Sequence, residues 1–293
     1  MKYSIRFIVC CAILYLNASF SGKEKKDFTV ISYNVWNGFE SQDHRRAAFV
    51  QWAKQQNADV IAFEELNNFT QASFSQLANS FGHPYAVISK EKGYPVGISS
   101  RYPIQNVYKL MKGMHHGCLY AEIKGISFFV VHFSPFSSAF RLQEADSVAQ
   151  VLQKRNKLNG QAIVLGDFNA FSPKDSLFYN TSAAKDSMYV EEMKNSKLRN
   201  LNKDNNIDYQ VISRFLENGF YDSFSLFHKT FQSSYPSKAY ALAPVSSQCR
   251  IDHMLISQKI KTKCKGMEII KDVVTDTLSD HYLIKLRLLL GNK

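Results

Sequence analysis

Ala162-Ile163-Val164-Leu165-Gly166-Asp167-Phe168-Asn169 is the stretch on which the reading of this 293-residue chain turns. A short, nearly continuous apolar run rich in β-branched residues is the pattern of a strand buried on both faces. It ends abruptly in a carboxylate and an amide, side chains that a buried strand end does not expose without a use for them. Gly166-Asp-Phe-Asn169 is also specific as a string, since a fixed tetrapeptide recurs by chance in about one chain in five hundred of this length.

Outward from this point the same pattern repeats. Phe28 to Tyr33 runs into Asn34, Asp59 to Phe63 into Glu64 and Glu65, and Ser127 to Val131 into His132. Polar residues at the ends of several buried strands converge on one rim, where layered α/β proteins place their sites. Asp43–Gln56 reads as an amphipathic helix, with Ala48, Phe49, Trp52 and Ala53 on one side. Arg141–Lys154 reads as a second, with Leu142, Ala145, Val148 and Leu152 at helical intervals. Phe215 to Phe220 reads as a helix end closed by Gly219. Residues 174–206 are polar and aperiodic, which predicts a long surface excursion with one short helix. Tyr282 to Leu290 alternates around Lys285 and Arg287, as a strand with one partly wet face does. There is no internal repeat and no low-complexity linker, so one domain over 27–290 is expected.

The N-terminus reads as a secretory signal over residues 1–21: Lys2 and Arg6, then an apolar run from Phe7 to Leu16, then Ser19 and Ser21 at cleavage spacing. Cleavage near Gly22 and a secreted or periplasmic protein follow. The alternatives are an uncleaved anchor, and lipid attachment at Cys10 or Cys11, which the bulky Phe7-Ile8-Val9 disfavours. The whole chain carries a formal charge of +11, and +9 once Lys2 and Arg6 are gone. That excess suits an anionic partner such as nucleic acid, phospholipid headgroups or phosphorylated sugars, and suits bare solubility equally. Beyond the signal lie Cys118, Cys249 and Cys264. Three unpaired thiols are expected, with a Cys249–Cys264 bridge across a hairpin as the alternative.

Taken together, the polar positions are carboxylates at Glu65, Asp167, Asp252 and Asp280, amides at Asn34 and Asn169, and imidazoles at His132 and His281. An oxygen-rich set of this kind suits a hard divalent cation, with water and a substrate phosphate completing its shell. Zinc would ask for clustered Cys and His. His115-His116-Gly117-Cys118 is the one approach to that and lacks a second ligand pair, so it reads as loop packing or substrate contact.

In order along the chain stand Ser32-Tyr-Asn34, Phe63-Glu-Glu65, Ser100-Arg-Tyr-Pro103, Val130-Val-His132, Gly166-Asp-Phe-Asn169, Arg250-Ile-Asp252 and Ser279-Asp-His281. This series resembles the endonuclease/exonuclease/phosphatase superfamily, over Phe28 to about Leu289. The resemblance implies a four-layer α/β/β/α sandwich, two packed mixed sheets with helices outside, and a hydrolase of phosphate esters. It implies Glu65 as principal metal ligand, with Asn34 and Asp280 near the metal. Mg²⁺ is the expected ion, with Mn²⁺ or Ca²⁺ as alternatives. Asp167 and Asn169 would orient phosphate and water. His281, steered by Asp252, would be general base or phosphate contact, and His132 would contact or protonate the departing oxygen. Two departures stand out. The family usually has Gln where this chain has Glu64, an extra carboxylate that would tighten metal binding or shift its pH dependence. The carboxylate that supports the histidine matching His132 has no counterpart in Gly93-Tyr-Pro-Val-Gly97.

Three functions fit that fold. A nuclease suits the basic charge, and Arg45-Arg46 if they face the cleft rather than solvent. A sphingomyelinase- or phosphoinositide-type lipid phosphoesterase suits the aromatic content, but no bare aromatic hairpin is evident. A non-catalytic binding module is the third, disfavoured because every catalytic position is filled. Nucleic acid is favoured over phospholipid as the anionic substrate, for a monomer with no obligate protein partner.

Overall fold

A computed structural model describes residues 27–155, 157, 160–180, 182–240 and 247–291. The expected signal segment 1–21 lies outside the described residues. The strands are β1 (Asp27–Asn34), β2 (Val60–Glu64), β3 (Tyr85–Ile88), β4 (Gly97–Ser100), β5 (Gln105–Leu110) and β6 (Cys118–Ile123). They continue as β7 (Ile126–His132), β8 (Ala162–Asp167), β9 (Phe220–Asp222), β10 (Asp252–Ser257), β11 (Cys264–Ile270) and β12 (Leu283–Leu289). Two six-stranded sheets result, ordered β11-β12-β1-β2-β4-β3 and β5-β6-β7-β8-β10-β9. Each is mixed, with one parallel pair at its centre, β1 beside β2 and β7 beside β8.

Alternation along the strands builds the layers. Val30, Val60, Ala62, Phe128, Val130, Ile163, Leu165, Met254 and Ile284 point between the sheets. Their neighbours Ile31, Tyr33, Ile61 and Phe63 point outward, under the helices Asp43–Gln56 and Gln71–Ser80. Phe129, Val131, Val164 and Leu255 do the same under the helices Ser138–Lys154 and Gln210–Glu217. Because both faces of the central strands are covered, their sequences are apolar throughout. The predicted four-layer sandwich is the observed one.

Register decides where the chemistry gathers. Asn34 lies opposite Glu64, His132 opposite Asp167, and Asp167 opposite Asp252. The polar ends of both parallel pairs therefore sit at one end of the sandwich.

Two expectations need amendment and a third is met. The excursion after β8 is more ordered than its polar sequence predicts. It holds a 3₁₀ turn (Pro173–Asp175), one α-turn (Ser176–Tyr179) and the helix Ser182–Lys194. A separate small core of Phe171, Tyr179, Ala184, Met188, Leu201, Ile207 and Ile251 pins it down. From Ala183 to Lys194 of that helix only Ala184 and Met188 are buried, too narrow a stripe to register as periodicity. Cys118, Cys249 and Cys264 are free, as expected. The alternative bridge fails because β10 runs between Cys249 and Cys264, spanning roughly 20 Å at about 3.3 Å per residue. Finally, Arg45 and Arg46 are half-buried on aromatic rings, Arg45 over Trp36 and Arg46 over Phe69, neither on an open solvated face.

Candidate active site

The cleft at that end of the sandwich has a volume of about 680 Å³ and is lined by Asn169, Glu65, His132, Asp167, Asp280 and His281, among others. Asn34, fully buried, spans the two sheets beneath it: Nδ2 donates to Glu65 Oε1 (3.2 Å) and to Asp167 Oδ2 (3.1 Å). Ser279 Oγ donates to Asn34 O (2.7 Å), bringing Asp280 and His281 against the end of β1. His281 Nδ1 bonds Asp252 Oδ2 at 2.9 Å, leaving Nε2 turned toward Asp167 Oδ2 at 3.8 Å. A carboxylate only accepts, so Nδ1 carries the proton. His132 Nε2 approaches the same Asp167 oxygen at 3.5 Å and Glu65 Oε1 at 4.0 Å. Asp167 Oδ1 accepts the N–H of Asn169 (2.8 Å), whose side-chain Nδ2 is spent on Phe133 O (3.1 Å). All eight predicted positions thus meet at one place. Among the described residues, the group whose ligand atoms lie within 4.8 Å of one another is Asp167, Asp252 and His281, with Glu65 linked to it through Asn34.

Backbone strain accompanies this convergence. Glu65 has φ +59° and Asn169 φ +47°, the left-handed region that costs a non-glycine residue about 1 kcal/mol or more. At Glu65 the reason is visible. Alternation would point it outward, under the helices, and the left-handed turn swings it into the cleft instead. Glu64, one residue earlier, obeys alternation and points between the sheets. There it is fully buried, accepts from Ser32 Oγ (3.0 Å) on one oxygen, and leaves the other unpartnered. The expectation that Glu64 adds a carboxylate to the metal site is therefore corrected: it is a buried acid beneath the site. Burial, then Asp252 and Asp167, hold its pKa well above the usual carboxylate range.

Trp36 to Ser41 continue the theme, with φ between +49° and +69° at all six residues. Phe39 N–H bonds Val35 O (2.7 Å) and Glu40 N–H bonds Trp36 O (2.8 Å), so this is one left-handed α-helical turn. Its amides do site work. Asn37 N–H donates to Glu65 Oε2 (2.8 Å) and Gly38 N–H to Glu65 O (2.8 Å).

Electrostatics reflects crowded acids. Burial raises Glu65 and Asp280, and pushes Asp167 up to about 7 although His281 pulls it down. Burial alone would lower His281, but Asp252, Asp280 and Asp167 outweigh it and raise its pKa well above the ordinary value. His132 goes the other way: burial and its histidine neighbours hold it neutral, and Nδ1 has no partner. Among the described residues the missing carboxylate is thus missing in three dimensions too. In its place His116 stacks on the ring, at 4.1 Å between centroids and 23° between planes.

Several contributors escaped the sequence reading. Glu144 accepts backbone N–H groups of His115 (2.7 Å) and Ser134 (2.8 Å), tying together the loops that carry His116 and follow His132. Its signal was present: Arg141 and Glu144 are opposite charges on the stripe of Ala145, Val148 and Leu152. Arg250, fully buried, donates to Asp175 (2.8 Å) and Asp222 (3.0 and 2.6 Å), clamping the excursion to the strand that bears Asp252. Its partners are distant in sequence and no local pattern announces them.

A profile of the Endonuclease/Exonuclease/phosphatase family matches residues 31–281. The chain belongs to that family. Its enzymes act on phosphate esters, as nucleases and phosphatases. No curated protein matches the chain. Among solved structures, the chain is similar to an AP endonuclease from Archaeoglobus fulgidus, at 20% identity and TM-score 0.67, covering 90% of this chain and 100% of that one. It is similar also to the 3′ phosphatase NExo from Neisseria bound to product DNA hairpin, at 20% identity and TM-score 0.66, covering 89% and 99%. A family protein from Bacteroides thetaiotaomicron matches at 17% identity and TM-score 0.63, covering 91% and 99%. At these identities the likeness is one of fold.

Proposed function

We propose that this chain is a secreted, divalent-metal-dependent phosphodiesterase that hydrolyses nucleic acid. The observation that carries the reading is the meeting of the Asp252–His281 pair with Asp167 and Glu65 across two sheets, in an open cleft. One structural relative is an AP endonuclease and another is bound to a product DNA hairpin, and the chain's basic charge agrees with an anionic substrate. Secretion rests on the pattern of residues 1–21, and a monomer is the simplest assembly.

The donor set fits a hard cation. Glu65, Asp280 and Asp167 are oxygen donors that burial raises even though His281 pulls each of them down, and a divalent ion would favour their charged forms further. Glu65 and Asp280 would hold it, as Mg²⁺ or with Mn²⁺ or Ca²⁺ in its place. Asn34, expected as a further ligand, instead braces the carboxylates, because its Nδ2 donates to Glu65 and Asp167 and its Oδ1 accepts from Trp36 N–H (3.0 Å). Bound there, it would lessen the negative charge that repels a nucleophile from a phosphodiester. The protein's own groups do the rest. Asp252 keeps the proton on Nδ1 of His281 and aims Nε2 at a phosphate oxygen. Asp167, facing both imidazoles, is placed to hold the attacking water and accept its proton. Asn169 offers its Oδ1 to the same water, because its Nδ2 is engaged elsewhere. His132, a neutral ring without a carboxylate behind it, serves as a contact for the departing oxygen.

The test is hydrolysis of plasmid DNA, RNA, sphingomyelin vesicles and bis-p-nitrophenyl phosphate in parallel, with Mg²⁺ and with EDTA. Glu65→Gln should nearly abolish turnover, and Mg²⁺ should raise the Tm of wild type but not of Glu65→Gln. Full activity in EDTA would remove the metal. Secretion is checked by whether the exported protein begins near Gly22. One observation favours a lipid substrate as second reading. On the helix Ser182–Lys194, Met188 and Glu191 line the cleft while Tyr189, Val190 and Met193 are exposed at 45%, 46% and 71%. Hydrolysis of vesicles with DNA left intact would promote it.

A further inference from the structure

Two aromatic walls rise from the cleft floor, each starting at one of its histidines. On one side His281 meets Tyr235 at 4.8 Å between centroids, Tyr235 meets Tyr240 at 5.9 Å, and Tyr240 meets Trp36 edge-on at 6.0 Å. On the other, His116 stacks on His132 and Tyr94 stands 5.0 Å from His116. Rings at the rim stay open: Tyr240 is 49% exposed, Tyr94 40%, and Trp36 is half-buried. Exposed aromatics beside a buried polar floor forgo burial that the same residues find elsewhere in this chain. Trp36 moreover opens the left-handed turn, so the chain tolerates strain at five non-glycine residues while setting that ring beside the cleft.

The charge pattern narrows what these walls hold. Among the described residues, those lining the cleft include neither Lys nor Arg, although the chain carries +11. A duplex tracked along its backbone is held by many cation–phosphate contacts. Here no side-chain ammonium or guanidinium among the described residues lines the cleft to make such contacts. Positive charge stands behind the walls instead. Arg45 lies 4.6 Å over the Trp36 ring, and Lys90 acts on His115, His116 and His132. A quaternary ammonium would meet a cation already on Trp36 and another near the facing wall, which weakens an aromatic cage. A neutral nucleobase meets no such repulsion and stacks on any aromatic face.

We propose that the cleft takes a short single-stranded segment, one base against each wall and the scissile phosphodiester between them. This deepens the nucleic-acid reading above and rests on it. Trp36, Tyr240 and Tyr94 are positioning and specificity elements, while His281 and His132 at the foot of the walls keep the roles given above.

The experiment uses the Mg²⁺-loaded full-length mature protein and a single strand of about eight nucleotides, within the usual range of single-strand site sizes. Its companions are the same strand with tetrahydrofuran in place of the two bases flanking one phosphate, the matching duplex, and sphingomyelin vesicles. Wild type should favour the single strand over the duplex by about tenfold or more in kcat/KM, and over the base-free strand at the modified phosphate by about five- to hundredfold, the range for losing a base stack. Trp36→Ala and Tyr94→Ala should each raise KM more than kcat falls, and more on the base-bearing strand than on the base-free one. Trp36→Phe should restore most of the loss, which separates stacking from damage to the turn. Equal losses on both strands, or faster cutting of duplex, would overturn the inference while leaving a phosphodiesterase. Preference for vesicles would overturn it in favour of a cationic headgroup. No turnover of any phosphodiester would overturn both readings together.

Discussion

His281 and Asp252 show how much one hydrogen bond organises. They come from opposite sheets, and the 2.9 Å contact sets the tautomer and aims the far nitrogen at the floor of the cleft. If Asp252 acts only through the imidazole, Asp252→Asn and His281→Ala should each lower kcat by about a hundredfold or more, the usual reach of acid–base groups. The double variant should then be little worse than the poorer single one. Losses that multiply would show two independent roles. Sequence order and spacing were enough to nominate both residues, because each follows or opens a recognisable strand. Glu64 and Glu65 were harder. Adjacent glutamates at a strand end look alike in sequence, and only the φ of Glu65 sends one into the cleft and the other under it.

At the scale of elements, two connections show what their strings require. Gly166 has φ +136°, and a Cβ there would meet Val131 O at 2.0 Å on the neighbouring parallel strand. The glycine of Gly166-Asp-Phe-Asn169 is thus needed by the close approach of β7 to β8, which brings His132 beside Asp167. Gly38, in the left-handed turn, has φ +69° and would put a Cβ 2.2 Å from Asn67 O. Backbone, not a flexible side chain, stands in the way at both positions. Gly166→Ala and Gly38→Ala should each cost about 2–4 kcal/mol in denaturant unfolding, as strained positions and overpacked cores do. Variants within about 0.5 kcal/mol of wild type, the scatter of ordinary surface substitutions, would contradict the geometry. Phe28 to Asn34 was legible as a buried strand with a polar end. A left-handed helical turn was not, because no residue preference other than glycine's announces it.

For the whole molecule, buried neutral histidines set the acid limit of stability. His83 donates from Nε2 to Ala58 O (2.9 Å) and accepts on Nδ1 from Ser99 Oγ (2.8 Å), and burial lowers its pKa to about 4. His253 donates to Ala170 O (2.9 Å), accepts from Arg250 (3.1 Å), and is lowered to about 4 by burial and then by that arginine. The unfolded chain protonates these rings near their ordinary value of 6.5, before the folded one does. The stability they contribute is therefore held above about pH 6.5 and lost as pH falls toward 4, by up to about 3 kcal/mol apiece. Urea unfolding of wild type at pH 7 and pH 4.5, against His83→Gln and His253→Gln, checks this. A variant whose loss on acidification matches wild type would clear that histidine of the effect.

By itself the sequence determined the layers and the cast of the site. A buried strand must be apolar on both faces, so polar residues at its end are conspicuous, and seven short strings in order leave one fold. It showed too that Gly93 to Gly97 holds no carboxylate where the family resemblance expects a partner for His132, and left that partner open. Only the tertiary structure decided which of two adjacent glutamates serves the site, what braces His132, and how Arg250 holds the excursion against β10. Those outcomes depend on register between distant strands and on backbone angles at single residues. Neither leaves a trace in local composition, because a side chain's chemistry says what it can bind and not which way the chain turns it.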